Sequence, residues 1–520
     1  MESHFLIGLA MFLYICVILG IGLYFARRAH GSSENYFIGG RGMGPWVTAM
    51  SAEASDMSGW LLMGLPGIAY WSGLADAFWT ALGLAIGTYA NWLITAKRLR
   101  IYSQVAGNAI TLPDFLSNRF HEEKRTLMTV AAFLILTFFT VYTASCLVTI
   151  GKLFSYLFDT DYLPMMVLGA VFVLTFTLIG GYLAEATSDL IQATLMVFAL
   201  IFVLGVGIYE AGGINQVIEN AKSIPGFFEF FGVANPIVEN DTQVVVDGIP
   251  QFSSEMKTVS ALAVISTMSW GLGYFGVPQV LIRFMAIRDS KEIAISRRIA
   301  TIWVFLSLFA AVAIGIIGRT LYPTAHLSTS SAENVFITIT THLIPPFLAG
   351  IVMAGILAAT FSSCAAYLLI AASAIAKNIY QKLLKKSASD KDVMNISRIM
   401  LFSIALFSML LATNEHSVIF NIVSFAWAGF GSAFGPIIIL SLFWRGITRN
   451  GALVGMLTGG GMVFIWNFLE KKIGGIFALY ELLPAFLLSL IVIIIVSKLD
   501  KNQKQSVLDD FDEYQRQLKY

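Results

Sequence analysis

Long apolar runs separated by short polar segments recur along the whole 520-residue chain. Each run holds about 18 to 25 nearly uncharged residues, which is enough α-helix to cross a hydrocarbon core of roughly 30 Å. A β-barrel would instead show alternating segments of about ten residues. The chain is therefore predicted to be an all-α polytopic membrane protein. The predicted spans are 5–25, 45–70, 75–96, 126–153, 163–183, 188–209, 258–285, 297–319, 346–376, 396–413, 417–443, 450–469 and 478–497, thirteen in all.

The amino-acid composition supports the class of membrane proteins and excludes soluble proteins. Hydrophobic residues make up 57% of the chain and charged residues 12%, whereas an average soluble domain has roughly 25% charged residues. No soluble core could bury so much apolar surface, which excludes a soluble enzyme. The net charge of +1 gives no electrostatic reason to expect a nucleic-acid partner. The three cysteines lie inside apolar runs and the six histidines have no metal-ligand spacing, so we expect neither disulfides nor a histidine metal site.

Lys and Arg are distributed unevenly between the polar segments. The first run is predicted to be a retained span, because its apolar stretch is long and no Lys or Arg precedes it. The loop after it carries Arg27, Arg28 and Arg41, which predicts that this loop is cytoplasmic and the N-terminus outside. In that orientation 27 of the 33 Lys and Arg residues are cytoplasmic. The long segment 210–256 is then outside, and the tail 498–520 is inside and too short for an enzymatic output domain.

Two predicted spans contain residues that disfavour a continuous helix. Segment 51–59 reads SAEASDMSG, and segment 269–278 reads SWGLGYFGVP. Glycine costs roughly 1 kcal/mol in a helix interior and proline roughly 3 kcal/mol, so both segments are predicted to unwind in mid-membrane. Unwound backbone is tolerated there only where protein covers it or where it lines a cavity.

The two interruptions are five spans apart, which indicates an internal repeat. A repeat with an odd number of helices enters the membrane upside down the second time. Two inverted five-helix repeats that each open with a broken helix define the leucine-transporter-like architecture, with substrate and ions at the midplane. We therefore predict one transmembrane domain, 1–497. Its parts are an extra first helix with its loop (5–44), the first repeat (45–209), the second repeat (258–443) and two extra helices (450–497).

Four motifs carry a specific resemblance. They are SAEASDMSGWLLMGLP at 51–66, WGLGYFG at 270–276, ILAATFSS at 356–363 and AWAGFG at 426–431. Together they resemble the bacterial sodium/proline symporters of the sodium:solute symporter family, and the resemblance extends from about residue 5 to residue 497. One departure is Ser362-Ser363, where a Ser-Thr pair is common in that branch. A hydroxyl is retained, so the resemblance still implies an intact ion site.

The resemblance implies a sodium site made of neutral oxygens, which suit a hard cation. Ala359, Ser362 and Ser363 are spaced i, i+3, i+4 and share one helical face. The break in the facing span would free the carbonyls of Ala54 and Met57. Without the resemblance, the two hydroxyls would equally be expected to bond to their own helix.

Three further polar residues, Asp56, Arg41 and Asp189, are predicted to act in coupling or gating, and the role of Glu53 is left open. Asp56 is a mid-membrane carboxylate, a residue class that is functional by default, and the resemblance implies that it supports sodium binding from close by. Glu53 is given either a direct role or a place in a cytoplasmic-side network with a basic loop residue. Arg41 resembles a position tied to sodium-dependent activity, with an anchoring loop cation as the alternative. Asp189, followed by Gln192, is either a helix N-cap or part of a gate.

Proline offers a carboxylate, a secondary ammonium and an apolar ring. Unwound N–H groups near Ser58 and Gly59 suit the carboxylate. Trp270 and Tyr274, at i and i+4, offer aromatic faces to the ring and its cationic nitrogen, although such pairs are usually packing residues. The substrate site that the resemblance implies is lined by Ser58, Gly59, Tyr142, Trp270, Tyr274 and Pro278. The 427–436 run, rich in small residues, is predicted to let a gating helix bend, or simply to pack closely.

The predicted function is sodium-coupled symport of L-proline by alternating access, in the bacterial plasma membrane, with one Na⁺ per proline. The alternatives are uptake of another small amino or organic acid, coupling to protons, or a transporter-like sensor. We expect no enzymatic activity, because no nucleophile–base set is present. The expected partners are proline, Na⁺ and the bilayer, with no nucleic acid and no obligatory protein partner.

Overall fold

The computed structural model describes residues 2–29, 41–500 and 503–519, and its backbone is almost entirely helical. The loop residues 30–40, which belong to the predicted first helix and loop, lie outside the described residues. The helices are α1 (Glu2–Ala29), α2 (Pro45–Asp56), α3 (Leu65–Ser72), α4 (Leu74–Asn91), α5 (Lys97–Val105), α6 (Leu112–Arg119), α7 (Thr126–Phe158), α8 (Tyr162–Glu210), α9 (Ile214–Ser223), α10 (Ala261–Met268), α11 (Pro278–Ala286), α12 (Ile293–Leu321), α13 (Thr329–Ala332), α14 (Val335–Leu343), α15 (Pro346–Ser373), α16 (Asp390–Leu411), α17 (Ile419–Phe443), α18 (Arg449–Ile473), α19 (Leu482–Leu499) and α20 (Gln505–Lys519).

Short segments of other helical types extend or join these helices. The π-helical segments are Trp60–Gly64, Trp92–Ala96 and Ala374–Leu384, and the 3-10 segments are Ser269–Phe275, Ser290–Glu292 and Gly475–Ala478. Six short strands lie between α9 and α10 and form three antiparallel pairs. The pairs are β1 (Gly232–Val233) with β6 (Lys257–Thr258), β2 (Val238–Glu239) with β3 (Thr242–Gln243), and β4 (Val245–Val246) with β5 (Ile249–Pro250).

Eleven helices of the described chain are long and apolar enough to cross a membrane, by length and composition. They correspond to eleven of the predicted spans, and the other two predicted spans are the interrupted segments. Helix α8 supplies two of the eleven, Tyr162–Tyr182 and Ala184–Glu210. The chain bends between them at Gly181, whose φ of 62° is a conformation that glycine adopts without strain. The all-α multi-pass class is thus confirmed, whereas the count of thirteen spans and the orientation of the termini stay predictions.

Both predicted segments contain a break, although in the first one only 57–59 are unwound and 51–56 stay helical. Helix α2 ends at Asp56, and helical backbone resumes at Trp60 as a π-helical turn that leads into α3. In the second segment α10 tightens into the 3-10 turn Ser269–Phe275, and α11 begins only at Pro278, after an extended Val277. Helix α11 packs against α2, and the 3-10 turn packs against α4 and α17. The two breaks therefore face a common interior.

The end of the bundle that carries the strands is the predicted extracellular end, and it is closed by polar contacts. Lys152 of α7 forms a buried ion pair with Glu333, between α13 and α14, at 2.7 Å. The same carboxylate accepts the N–H groups of Ile419 and Phe420, at 3.0 and 3.1 Å, and so caps the start of α17. One carboxylate therefore joins the α13–α14 pair to two membrane helices.

At the opposite end, the described part of the tail is folded and not free. Tyr514 of α20 stacks on Tyr102 of α5, with ring centroids 4.3 Å apart and planes at 3°. Asp512 accepts two hydrogen bonds from Arg445, which lies between α17 and α18, at 2.9 and 2.7 Å. The tail helix therefore spans from the end of α5 to the end of α17.

Candidate functional site

The first break brings together two of the five predicted sodium ligands. The N–H of Ser58 donates to the Asp56 carbonyl at 3.1 Å, and not to the Ala54 carbonyl four residues back. The Ala54 carbonyl accepts instead from Ser363 Oγ of α15 at 3.1 Å. Ala359 and Met57 are fully buried on the same two segments. An oxygen cluster thus joins the unwound end of α2 to α15.

Ser362, the fifth predicted ligand, points to a different partner. Its hydroxyl donates to Asp189 Oδ1 of α8 at 2.5 Å, and Ser51 of α2 donates to Oδ2 of the same carboxylate at 2.6 Å. Asp189 is fully buried, and the helix that carries it begins several residues earlier, at Ala184. The N-cap alternative for Asp189 is therefore wrong. Its carboxylate links α2, α8 and α15.

Two charged residues that sequence reasoning missed complete this cluster. Arg283 of α11 forms an ion pair with Glu185, and it also donates from Nε to Ser51 Oγ at 3.0 Å. The guanidinium lies 3.6 Å from Asp189 Oδ2. All three charged side chains are at most 1% exposed. Charges inside predicted spans are expensive and therefore informative, so Arg283 could have been singled out from the sequence.

Asp56 lies where three elements meet. Its carbonyl is 3.4 Å from the Tyr142 hydroxyl of α7, and its Oδ1 accepts from Gln279 Nε2 of α11 at 3.5 Å. The Tyr142 ring stacks on Tyr367 of α15 at 4.3 Å. Gln279 and Tyr367 are further side chains that the sequence motifs did not indicate. Asp56 is thus next to the oxygen cluster in sequence and next to the predicted substrate-lining residues in space.

The two aromatic residues predicted to line the substrate site are buried next to α17. Trp270 is 3% exposed and Tyr274 is fully buried. Tyr274 meets the ring of Trp427 edge-on at 5.0 Å, and the Trp270 carbonyl accepts from Trp427 Nε1 at 2.8 Å. Helix α17 therefore holds the 3-10 turn in place. Pro278, the remaining predicted lining residue of this segment, is buried at the first turn of α11.

Polar atoms around the first break have capacity for a ligand. Among the residues that the structure describes, Ser58 Oγ and Gln279 Oε1 are buried and make no hydrogen bond. Buried polar groups are normally satisfied, so such atoms indicate a site for polar ligands. A Cβ at Gly59 would lie 2.3 Å from the Thr149 methyl carbon. A side chain at Gly59, where the backbone was predicted to meet a carboxylate, would therefore require the Thr149 side chain to move.

Arg41 and Glu53 form hydrogen bonds that hold neighbouring segments together. The Arg41 guanidinium donates to the carbonyls of Met285 and Ala109, at 2.6 and 2.5 Å, which ties the start of this region to the end of α11. This is the anchoring alternative, and a role of Arg41 in sodium dependence stays a prediction. Glu53 accepts from the indole of Trp92 at 3.1 Å. A basic loop partner for Glu53, and with it a place in a cytoplasmic-side network, stays a prediction.

The fold defines a class of protein: a multi-pass helical membrane protein with a leucine-transporter-like fold. The structure is similar to a Na⁺-coupled sialic acid symporter, with a TM-score of 0.74 and 20% sequence identity over 96% of this chain and 99% of that one. The model of the sodium:solute symporter family matches residues 36–459. The chain belongs to the sodium:solute symporter family.

Relatives within the family are similar over nearly their full length. The sodium/proline symporter of Escherichia coli is 38% identical over 98% of this chain and 96% of its own. The high-affinity proline transporter PutP of Bacillus subtilis is 38% identical over 95% of this chain and 98% of its own. The similarity thus extends over nearly the whole chain.

Proposed function

We propose that this protein is a sodium-coupled symporter that carries L-proline into a bacterial cell through the plasma membrane by alternating access. The observation that carries the proposal is the contact between Ser363 and Ala54, which joins the unwound end of α2 to α15 through two neutral oxygens. The names of the relatives from Escherichia coli and Bacillus subtilis support proline as the substrate. We expect no enzymatic activity and no obligatory protein partner.

The proposed ion site couples to the proposed substrate site through one short segment. Na⁺ would replace the hydrogen bond between Ser363 and Ala54, because both oxygens would turn their lone pairs to the ion. Met57, Ala359 and Ser362 are the further proposed ligands. The residues that follow, Ser58 and Gly59, offer backbone N–H groups to the proline carboxylate. Sodium binding would therefore order the segment that recognises the substrate, with Asp56 adding favourable charge close by.

The proposed aromatic lining then receives the rest of the substrate. Tyr142, Trp270, Tyr274 and Pro278 surround the apolar ring and the secondary ammonium, which aromatic faces attract. An ammonium in this position also lies near the Asp56 region. Another amino acid of similar size is the alternative substrate, since these lining residues would select by the size of the substrate.

The cluster around Asp189 is the proposed inner gate. Hydrogen bonds and ion pairs join α2, α8, α11 and α15 there, on the predicted cytoplasmic side. These contacts must separate before a substrate can leave inward. The proposed arrangement has thirteen spans in two inverted repeats, 45–209 and 258–443, with the N-terminus outside.

Uptake of radiolabelled proline into proteoliposomes tests the proposal. We expect uptake to need an inward sodium gradient and to persist when the pH gradient is collapsed, because the proposed ligands are neutral oxygens that do not titrate. Liposomes without protein are the control. Equal uptake from potassium and sodium buffers would contradict sodium coupling, and sodium-driven uptake of another amino acid in preference to proline would contradict the substrate.

A further inference from the structure

The connection between α18 and α19 lies outside both proposed repeats, yet it contacts the proposed substrate site. Tyr480 in this connection stacks on Trp270, with ring centroids 5.0 Å apart and planes at 21°. Trp270 is a proposed lining residue at the second break. One face of a substrate-site aromatic is therefore covered by a side chain that neither repeat supplies.

Tyr480 is held in place from two sides. Its N–H donates to Ser266 Oγ of α10 at 2.8 Å, and its hydroxyl donates to the Ser424 carbonyl of α17 at 2.8 Å. The preceding residue, Leu479, accepts from Trp466 Nε1 of α18 at 2.9 Å. These bonds fix the ring across the gap between α10 and α17. Helix α10 is the outer half of the second broken segment, and α17 is the helix that faces it.

Four rings of a larger aromatic cluster, which also includes Trp427, lie at this level. Trp270 lies 5.2 Å from Phe420 and 6.0 Å from Trp60, and Trp60 lies 6.4 Å from Phe420, measured between ring centroids. Tyr480 is the fourth ring. On the side of the strands lies a cavity of about 970 Å³, the vestibule, which Trp270, Phe420 and Tyr480 line together with Lys257. On the other side lie the buried lining residues of the proposed substrate site.

We propose that Tyr480 is the outer lid of the substrate site: it positions Trp270 against bound proline and moves aside when proline passes between the vestibule and the site. The inference rests on the proposed function. Tyr480 is half-buried and faces the vestibule, whereas Trp60 and Trp270 are at most 3% exposed. Tyr480 is also carried by a connection and not by a membrane helix. Phe420 also lines the vestibule but belongs to the membrane helix α17, so Tyr480 is the ring whose movement breaks hydrogen bonds of a connection and displaces no membrane helix.

The rate of proline release tests the lid directly. Purified protein in nanodiscs is loaded with labelled proline in sodium buffer and chased with unlabelled proline. We expect Tyr480→Ala to release proline about tenfold faster, since ring stacking and the seal are both lost. Tyr480→Phe keeps the stacked ring and loses only the bond to Ser424, so its release rate should stay within about threefold of wild type.

The matched control is Phe477→Ala in the same connection. Phe477 packs edge-on against Trp466 at 4.8 Å and has no ring contact with Trp270, so we expect wild-type release. Equally fast release from Phe477→Ala would overturn the lid and indicate a general loosening of the connection. A wild-type rate in Tyr480→Ala would also overturn it. If wild-type protein retains no proline at all, the proposed function fails, which is a different result from either.

Discussion

The hydroxyls of Ser362 and Ser363 point from α15 toward two different helices. Consecutive residues of an α-helix are about 100° apart around its axis, so Ser363 reaches Ala54 on α2 while Ser362 reaches Asp189 on α8. In the proposed cycle, Ser362 is therefore shared between the ion site and the inner gate. An ion that draws Ser362 inward would weaken its bond to Asp189, so ion binding and gate opening would be linked through one hydroxyl.

Replacing either hydroxyl is expected to weaken sodium binding. Losing one buried polar contact costs about 1–3 kcal/mol, so Ser363→Ala or Ser362→Ala should raise the half-saturating sodium concentration by about fivefold to a hundredfold. Sodium titration of proline uptake measures this. Ser373→Ala is the matched control, because Ser373 lies on the same helix and its hydroxyl bonds only to the Ile370 carbonyl at 2.8 Å. Unchanged sodium dependence in both serine variants would locate the ion site elsewhere.

His326, between α12 and α13, is expected to make the protein sensitive to acid. Burial, with a smaller contribution from Arg319, lowers the pKa of His326 from 6.5 to about 4. Below pH 6.5 the imidazole of His326 is therefore protonated in the unfolded chain, whereas in the folded chain it stays neutral until the pH approaches 4. Stability should then fall as the pH drops from 6.5 toward 4, by up to about 3 kcal/mol. Thermal unfolding of the purified protein across this pH range measures the loss.

The variant His326→Gln separates this group from other acid effects. Glutamine stays neutral and can still bond to Thr338, whose hydroxyl lies 2.8 Å from His326 Nε2. The difference in unfolding temperature between this variant and wild type should grow in favour of the variant as the pH falls. His416→Gln, at an exposed position in the connection between α16 and α17, is the control and should behave as wild type. A difference that does not vary with pH would show that protonation of His326 is not the cause.

The sequence indicated several of the candidate functional residues, but it did not indicate which residues they contact. The mid-membrane position of Asp56 and the spacing of Ala359 and Ser363 follow from one span each. The contacts of Gln279 and Glu185 depend on which helices meet, and no single span contains that information. A glutamine or glutamate in an apolar run shows that a polar partner exists without showing which one it is.

At the scale of elements, the two breaks differ in how well the sequence predicts them. The second break follows from its glycines and proline, and the structure departs from α-helix over much of 269–277. In the first segment the polar residues from Ser51 to Asp56 stay helical. Their side chains find partners, as Ser51 does on Asp189, so polarity alone does not unwind a helix. Only the stretch around Met57 and Ser58 is open.

The tail helix α20 was not predicted, because its sequence is polar and carries only a few apolar residues. Its buried face explains why it forms. Phe511 and Tyr514 are buried, and the guanidinium of Arg119, from α6, lies 5.1 Å from the Tyr102 ring and 5.5 Å from the Phe511 ring. An amphipathic helix of this kind gains its stability from docking and not from its own propensity.

Removing one of these rings is therefore expected to release the helix. Tyr514→Ala deletes the stack on Tyr102 and the bond to the Leu442 carbonyl at 3.2 Å. Losing a buried aromatic side chain costs about 3–5 kcal/mol, so amide hydrogen exchange in α20 should become at least tenfold faster. Gln517→Ala, on the exposed face of the same helix, is the control and should not change it. Equal exchange in both variants would mean that the tail is held by its ion pairs alone.

Over the whole molecule, the spans and their order were predictable because each apolar run can be recognised from its own consecutive residues. The connections were not. The strand pairs between α9 and α10, the α13–α14 pair and the α18–α19 connection all take their form from the bundle that they cover. Glu333 illustrates this, since its carboxylate is buried against Lys152 and the start of α17. The proposed lid belongs to the same group of elements, and only the structure brings it to the substrate site.

The number of Na⁺ ions moved per transport cycle determines how strongly proline can be accumulated, and the free energies involved can be compared. Proline is a zwitterion, so one Na⁺ moves one net charge, which contributes about 2.3 kcal/mol at 100 mV. A tenfold sodium gradient adds about 1.4 kcal/mol. The sum, roughly 3.7 kcal/mol, would support accumulation of a few hundred-fold, and two ions would raise the limit to the order of 10⁵-fold.

We expect one Na⁺ per proline. The region of Asp189 is the second candidate for an ion, but Arg283 already lies 3.6 Å from that carboxylate and forms an ion pair with Glu185. A second Na⁺ would have to enter beside this guanidinium, and repulsion between two cations in a buried site is strong. Reversal potentials of proteoliposomes, measured while the sodium and proline gradients are varied independently, decide between the two cases. A slope of two charges per proline would make the Asp189 cluster a second ion site, and its proposed role as a gate would then be wrong.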